Sequence, residues 1–369
     1  MPEIDGLRFV AILSVYLYHL SAFVLVKEVA LRSASSRSIV AQLLGQGNVG
    51  VELFFVISGF ILALPFASHY LRGTKRVLLR AYFLRRLTRL EPPYILSMLI
   101  FFLLLVAYVG KSAAALLPNL LASLSYTHNL IYGTHSTINT VAWSLEIEVQ
   151  FYALVPILAR VFSIRNDAKR RASIAVAIAL SMFVQTVFNA PAESRFNLCI
   201  LNFLQYFLCG FLLADFYIVD WQSAPTVAPR WDVVSLLGWP LVPMIWMHAQ
   251  TSRWLLGPVT LVLYCAAFKG RFSRKFFSAT WITSIGGMCY TIYLLHFQLI
   301  SFVGRHTIGL TTSNSFAATF AWQFIMITPF VLGACSVYFL AIERPCMRPD
   351  WPARLMRKIA GGEPGARVV

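Results

Sequence analysis

The sequence predicts an all-α protein: a polytopic transmembrane helix bundle of about ten spans, with both termini cytoplasmic. Three observations carry that prediction. Apolar residues make up 58% of the chain and charged ones only 12%, and the mean hydropathy of +0.69 excludes a water-soluble globular domain. Apolar runs near the roughly 20 residues needed to cross a bilayer recur along the chain. Basic residues collect in every second connection between those runs.

The net charge of +16 would suit a nucleic-acid partner, but the cations fall between apolar runs instead of along one soluble face, so none is expected. The six Cys lie mostly inside apolar runs without CxxC pairs and read as small core residues. No HExxH, Cys-rich or three-His grouping and no Walker-type loop appears, so no metal is expected. Residues 1–26 lack a basic leader and a small-residue cleavage site, which reads as a retained helix.

The first span, 7–26, carries polar side chains that are costly in lipid: Asp5 and Arg8 at its start and His19 near its middle. From Arg8 to His19 the helix turns about 1100° at roughly 100° per residue, returning to within about 20° of one face. Asp5 lies about 40° off that line, and His19 sits roughly 16 Å deeper at about 1.5 Å per residue. Such a stripe faces a protein interior. The second span, 49–67, contains GVELFFVISGFIL. Glu52 opens it, and the small pair Ser58 and Gly59 permits close helix approach. Packing is the simpler role for Ser58, which also qualifies as substrate-lining.

Before the third span, 93–110, stands RAYFLRRLTRLEPPY, with Arg85, Arg86 and Arg89 clustered ahead of Pro92 and Pro93, read here as fixing the helix start. Arg86 and Arg89 share a helix face, and guanidinium forks at that spacing suit phosphate groups. The plainer alternative is a basic loop touching lipid headgroups. The segment from Lys111 to Thr140 is the longest outward connection, and AAALLPNLLASLSY within it is apolar enough to lie in the interface and roof a cavity.

The fourth span, 141–162, opens with WSLEIEVQFY, from Trp143 to Tyr152, which places Glu146, Glu148 and Gln150 in an apolar helix. Glu148 shares a face with Ser144 and with Tyr152. One carboxylate can orient a histidine or bind an acceptor hydroxyl; an ion pair joining helices, for instance with Arg8, is the alternative. Spans 172–189, 198–219, 233–248 and 254–268 follow, the last short enough to be re-entrant, which leaves nine or eleven crossings open. In span nine, 281–303, GGMCYTIYLLH puts Tyr290, Tyr293 and His296 at i, i+3 and i+6, either as an interhelical polar cluster or as a substrate lining. Span ten covers 316–342. Residues 1–345 form one transmembrane domain, and 346–369 a basic cytoplasmic tail. His69, His128, His135, His248 and His306 sit at span ends or in loops, with His128 and His135 candidates for an outer entrance.

Orientation follows from charge. Arg72, Lys75, Arg76 and Arg80 join the Arg85–Arg89 cluster after span two; Arg160, Arg165, Lys169, Arg170 and Arg171 follow span four. Lys269, Arg271, Arg274 and Lys275 follow span eight, and Arg344, Arg348, Arg354, Arg357, Lys358 and Arg367 follow span ten. These all fall on one side, expected to be cytoplasmic.

Taken together, DGLR followed by a mid-helix His, GVELFFVISGFIL, RRLTRLEPPY, WSLEIEVQFY, GGMCYTIYLLH and the closing ERP of Glu343 to Pro345 resemble the acyltransferase 3 family of membrane acyltransferases. The resemblance runs in order over nearly the whole chain. It implies transfer of an acyl group, with acetyl expected, from acetyl-CoA or another acyl-CoA to a hydroxyl of a saccharide or glycosylated small molecule. Family members act on polysaccharides and on macrolides. The resemblance points to His19 and Arg8 on the catalytic helix, Arg86 and Arg89 as an RxxR pair, and Glu148 in a WSxxxE element. Family members often read SVE here, so Glu148 is the better match and Glu146 is left without a role. Some relatives add a secreted hydrolase-like domain, for which this chain is too short.

On this reading His19, Glu148 and Arg8 are the catalytic candidates, and Arg85, Arg86 and Arg89 hold the cofactor. Asp5, Ser58, Trp143, Tyr152, Tyr290, Tyr293 and His296 are substrate-lining candidates. The slender pantetheine arm then reaches inward from the arginines towards His19, whose neutral imidazole takes the acceptor's proton, by direct attack or through an acyl-His intermediate. Expected partners are acyl-CoA, the glycosylated acceptor and membrane lipid, and the expected location is the bacterial cytoplasmic (inner) membrane. The main rival is a transporter or flippase of lipid-linked saccharides, against which stand the lack of inverted repeats and of paired broken helices.

Overall fold

In a computed structural model, residues 1–27, 38–188, 193–310, 315–348 and 351 are described, and among them every regular element is helical. Each apolar run became helix. The principal helices are α1 (Pro2–Lys27), α2 (Ile39–Leu44), α3 (Gly50–Arg72), α4 (Leu79–Ala107), α5 (Ala113–Leu124), α6 (His128–Tyr132), α7 (Trp143–Leu158) and α8 (Asp167–Val187). They continue as α9 (Leu204–Val219), α10 (Arg230–Met247), α11 (Leu256–Lys269), α12 (Arg271–Phe277), α13 (Thr280–Gly287), α14 (Cys289–Thr307) and α15 (Phe316–Tyr338). The expected basic tail from 346 lies outside the described residues apart from Cys346, Met347, Arg348 and Trp351.

Six helical stretches are long and apolar enough to cross a membrane, or up to eight if each of two bent pairs forms one span. The expectation of about ten exceeds that count for a physical reason. The 16 residues of α9 rise only about 24 Å at about 1.5 Å each, short of a hydrocarbon core of about 30 Å. Two bent pairs occur among the described residues: Arg253–Lys269 meets Arg271–Phe277 at 91°, just beyond the eighth run, and Thr280–Gly287 meets Cys289–Leu310 at 70°, in the ninth, so the expected lack of paired broken helices, held against a transporter, does not hold. Large apolar side chains such as Leu236, Phe183 and Val337 stand 74%, 65% and 69% exposed. In a bilayer that outer face meets lipid.

Glycines set the closest helix approaches. A Cβ on Gly59 of α3 would run into the Phe207 main chain of α9, and one on Gly210 would meet the main chain of Val56, Gly59 and Phe60. Gly286 of α13 lies equally tight against the Asp5 carbonyl of α1. With α14 and α15 also against it, α1 is a central helix with Ile4, Leu7, Ala11, Ile12 and Val15 buried.

The arginine cluster is placed differently from the expectation. Pro92 and Pro93 do not start a helix: α4 runs through them from Leu79 to Ala107, so Arg85, Arg86 and Arg89 belong to the same helix as the third span. Proline at 92 removes the N–H that would bond the Thr88 carbonyl, and the Trp351 indole donates to that carbonyl at 2.8 Å instead. The Tyr338 hydroxyl donates to the Pro93 carbonyl at 2.6 Å, tying α4 to α15.

Candidate active site

A cavity of about 390 Å³ opens between α1, α3, α4, α7, α14 and the segment that follows α15. Five arginines, Arg8, Arg85, Arg86, Arg89 and Arg348, line it against two carboxylates, Glu148 and Glu343. The excess of cations is the site's main electrostatic feature. Arg86 lies over the Tyr82 and Tyr152 rings, 5.3 and 5.2 Å from their centroids, which fixes the plane of its guanidinium. The Nε atoms of Arg86 and Arg89 are buried and find no partner among the described residues. Unpaired buried donors on cations are costly, and an anion in the cavity would satisfy them.

Inside the cavity, the Ser58 hydroxyl donates to Glu148 Oε1 at 2.6 Å, joining α3 to α7. Ser58 is therefore more than a packing residue: Gly59, not Ser58, makes the close approach. Tyr152 stands beside Glu148 on the same wall, as their i, i+4 spacing required. Arg8 also lines the cavity, but its ion partner is Asp5, at 2.8 Å, one turn earlier. The suggested Arg8–Glu148 ion pair is thus not formed. Tyr290 lines the cavity while its hydroxyl donates to the Leu90 carbonyl at 2.9 Å. Tyr293 lines it too; its hydroxyl donates to the Val141 carbonyl at 2.9 Å, so the Ser144 hydroxyl, at 2.6 Å, must donate to Tyr293.

Four of the residues singled out in the sequence stand off the cavity wall: Asp5, His19, Trp143 and His296. Asp5 acts through Arg8. Trp143 packs against Phe203 and His135. His19 and His296 form a ring pair 5.1 Å apart, one turn beyond Tyr293. The route from the cavity to His19 is a chain of ring contacts: Phe54 and Tyr293 at 6.2 Å, Tyr293 and His296 at 6.0 Å, then His296 and His19. The helical stripe is real, since Arg8 and His19 both face α14, but only its Arg8 end opens to the cavity.

Glu146 now has a role. Its Oε2 accepts from the Asn129 backbone N–H at 2.8 Å, capping α6, and a side chain facing that loop cannot also face the cavity. His128 is fully buried, with its ring nitrogens against the Thr134 carbonyl and Asn119 Oδ1. Burial pushes its imidazole below the ordinary value. It braces a loop and does not line an outer entrance. α5 packs on α4 through the Tyr94 hydroxyl and the Ser123 carbonyl, 2.9 Å apart, and lines no part of the cavity.

Sequence reasoning gave no role to Glu343, which the structure puts on the cavity wall. It is 1% exposed and accepts from the Thr291 backbone N–H and hydroxyl, at 3.2 and 2.5 Å. A π-helical turn, Phe339–Glu343, carries it there, and such turns re-aim a side chain within a helix. The ERP triplet marked the place, but nothing in its spacing shows a π turn. No group of three metal-ligating side chains occurs among the described residues.

Fold and site define an integral-membrane helix bundle with an arginine-rich cleft leading inward to a buried polar wall. The chain belongs to the acyltransferase 3 family: the family's Acyltransferase domain matches residues 1–340. Among curated relatives it is similar to the O-acetyltransferase OatA of Staphylococcus aureus strain NCTC 8325, with 24% identity over 331 residues, covering 83% of this chain and 51% of that protein. It is also similar to the putative O-acetyltransferase SAS0844 of S. aureus strain MSSA476, with 25% identity over 333 residues, covering 82% and 51%. The chain therefore spans about half the length of these curated relatives. No solved structure matches it.

Proposed function

We propose that this chain is a membrane O-acyltransferase that moves an acyl group, acetyl being the expected one, from acyl-CoA to a hydroxyl of a saccharide or glycosylated small molecule. The observation that carries the reading is the cavity with five arginines and two open guanidinium Nε donors. CoA presents a pyrophosphate and a ribose phosphate, which match guanidinium forks. Arg85, Arg86 and Arg89 hold those phosphates from the cytoplasm, and the pantetheine arm runs inward past Ser58 and Glu148. The relatives named O-acetyltransferases support acetyl as the group transferred.

The thioester meets the Phe54–Tyr293 ring pair at the deep end of the cavity. For transfer at His19 the thioester must pass the chain of rings Phe54, Tyr293 and His296 that separates the cavity from the imidazole. His19 takes the acceptor's hydroxyl proton, the oxygen attacks the carbonyl carbon, the C–S bond breaks, and the thiolate leaves with the proton. Arg8, anchored by Asp5, adds its charge to the arginine end of the cavity, roughly 16 Å of helix rise from His19. Glu148, held by Ser58 and Tyr152, shapes the wall along which the arm lies. The bacterial cytoplasmic membrane, with the arginine end inside, is the setting that the basic bias supports.

The test is release of CoA thiol from acetyl-CoA by purified protein in detergent, where no gradient exists to drive a transporter, using cell-envelope glycan extract as acceptor. Protein-dependent release, with one acetyl mass gained by a glycan, is the expected result. Glycan movement in vesicles without thiol release would favour the transporter.

A further inference from the structure

His296 is fully buried and does not line the arginine-rich cavity, yet it has one polar atom left over. Its Nδ1 lies 2.9 Å from the Ile292 carbonyl and 3.0 Å from the Tyr293 carbonyl. Both are acceptors only, so the proton of the neutral ring must sit on Nδ1. Nε2 is then a bare lone pair, and it is buried without a hydrogen-bond partner. Neither neighbouring hydroxyl bonds Nε2: Tyr16 pairs with Thr328 at 2.9 Å, either hydroxyl donating, and Tyr293 donates to Val141. The other faces of the His19 ring meet Tyr18 and Phe297. The polar ring left to face His296 Nε2 is His19, with centroids 5.1 Å apart and planes at 53°. A hydrogen bond of about 3 Å between one nitrogen of each ring requires a turn of the His19 ring, which is only partly buried.

We propose that His296 is the positioning residue of His19. Its fixed tautomer accepts the N–H of one His19 nitrogen and leaves the other bare, directed at the incoming hydroxyl. When His19 carries the transferred proton, its cation remains bonded to a neutral acceptor, and His296 neither gains nor loses a proton. The inference rests on the reading of His19 as the base. It assigns to a neutral imidazole the orienting task that a carboxylate performs in catalytic triads, and in the resting state neither ring places a charge in hydrocarbon.

The experiment compares His296→Gln, His296→Met and His19→Ala in purified full-length protein, reading kcat and KM for acetyl-CoA beside the thermal midpoint. A Gln amide oxygen can still accept from His19, whereas Met fills the apolar site without an acceptor. The expected order is Gln within about threefold of wild type and Met down at least tenfold in kcat, with KM unchanged in both. A purely structural role predicts the reverse order, because Met packs and an extra buried amide does not. An active Met variant beside an inactive His19→Ala overturns this proposal and leaves the His19 reading standing; an active His19→Ala overturns both. If the Met variant fails to fold, nitrogen-15 spectra of histidine-labelled wild type decide: Nε2 unprotonated on His296 supports the proposal, and protonated Nε2 overturns it.

Discussion

On the proposed function, single side chains decide where the phosphates and the proton go. Arg86 is held in plane between two tyrosine rings, so Arg86→Lys should not restore binding: an ammonium lacks the fork and the planar stacking. A charge-assisted hydrogen bond is worth about 1.5–3 kcal/mol, which is roughly 10- to 150-fold in affinity at 1.4 kcal/mol per decade. Arg86→Lys should therefore raise KM for acetyl-CoA at least tenfold while kcat holds, as steady-state kinetics would show. Glu148→Gln keeps an acceptor for Ser58 but loses the charge, and because Glu148 is a catalytic candidate a turnover loss of about tenfold is expected. A wild-type kcat would reduce Glu148 to a brace. Legibility at this scale was uneven. Arg8, the arginine cluster, Ser58, Glu148, Tyr152, Tyr290 and Tyr293 could be found because a polar group in an apolar run is conspicuous. Sequence alone could not separate Glu146 from Glu148, since only the fold shows that Asn129 comes to meet one of them.

Helices meet through features that vary in how openly the sequence displays them. The Ser58–Gly59 pair announced a close approach, and α3 and α9 do touch at Gly59, with Gly210 as its unread counterpart. Overpacking costs about 1–3 kcal/mol, so Gly210→Leu should lower the thermal midpoint in detergent, whereas Gly287→Leu, with open space around it, should not. The ends of α8 and α9 are joined by charge: Asp215, fully buried, accepts from Arg170 Nε and from Arg171 Nε at 2.7 Å. Asp215→Ala leaves Arg170 buried with only Asp167 as ionic partner, a loss of about 3–5 kcal/mol where such a pair is broken; a collapsed thermal midpoint is expected. The proline pair misled for a clear reason. Prolines usually open or end helices, but α4 runs through this pair, with Trp351, more than 250 positions away, bonding the freed Thr88 carbonyl.

Across the whole molecule, the all-helical class followed from composition, but the number of crossings did not, because apolarity does not reveal the 91° and 70° breaks. Those breaks matter to the site. The turn between α13 and α14 sets Gly286 against α1 and presents Cys289, Tyr290 and Tyr293 to the cavity. The first and last long helices bring Arg8 and Glu343 to one chamber, which explains why motifs at opposite ends of the chain belong to one site. The account's central claim is that the arginines of α4 hold the phosphates of CoA. Calorimetric titration of detergent-purified protein with acetyl-CoA tests it directly. Binding by the wild type that weakens at least tenfold in the Arg86→Ala, Arg89→Ala double variant, at an unchanged thermal midpoint, is the predicted result. Equal affinity in the two proteins would contradict it.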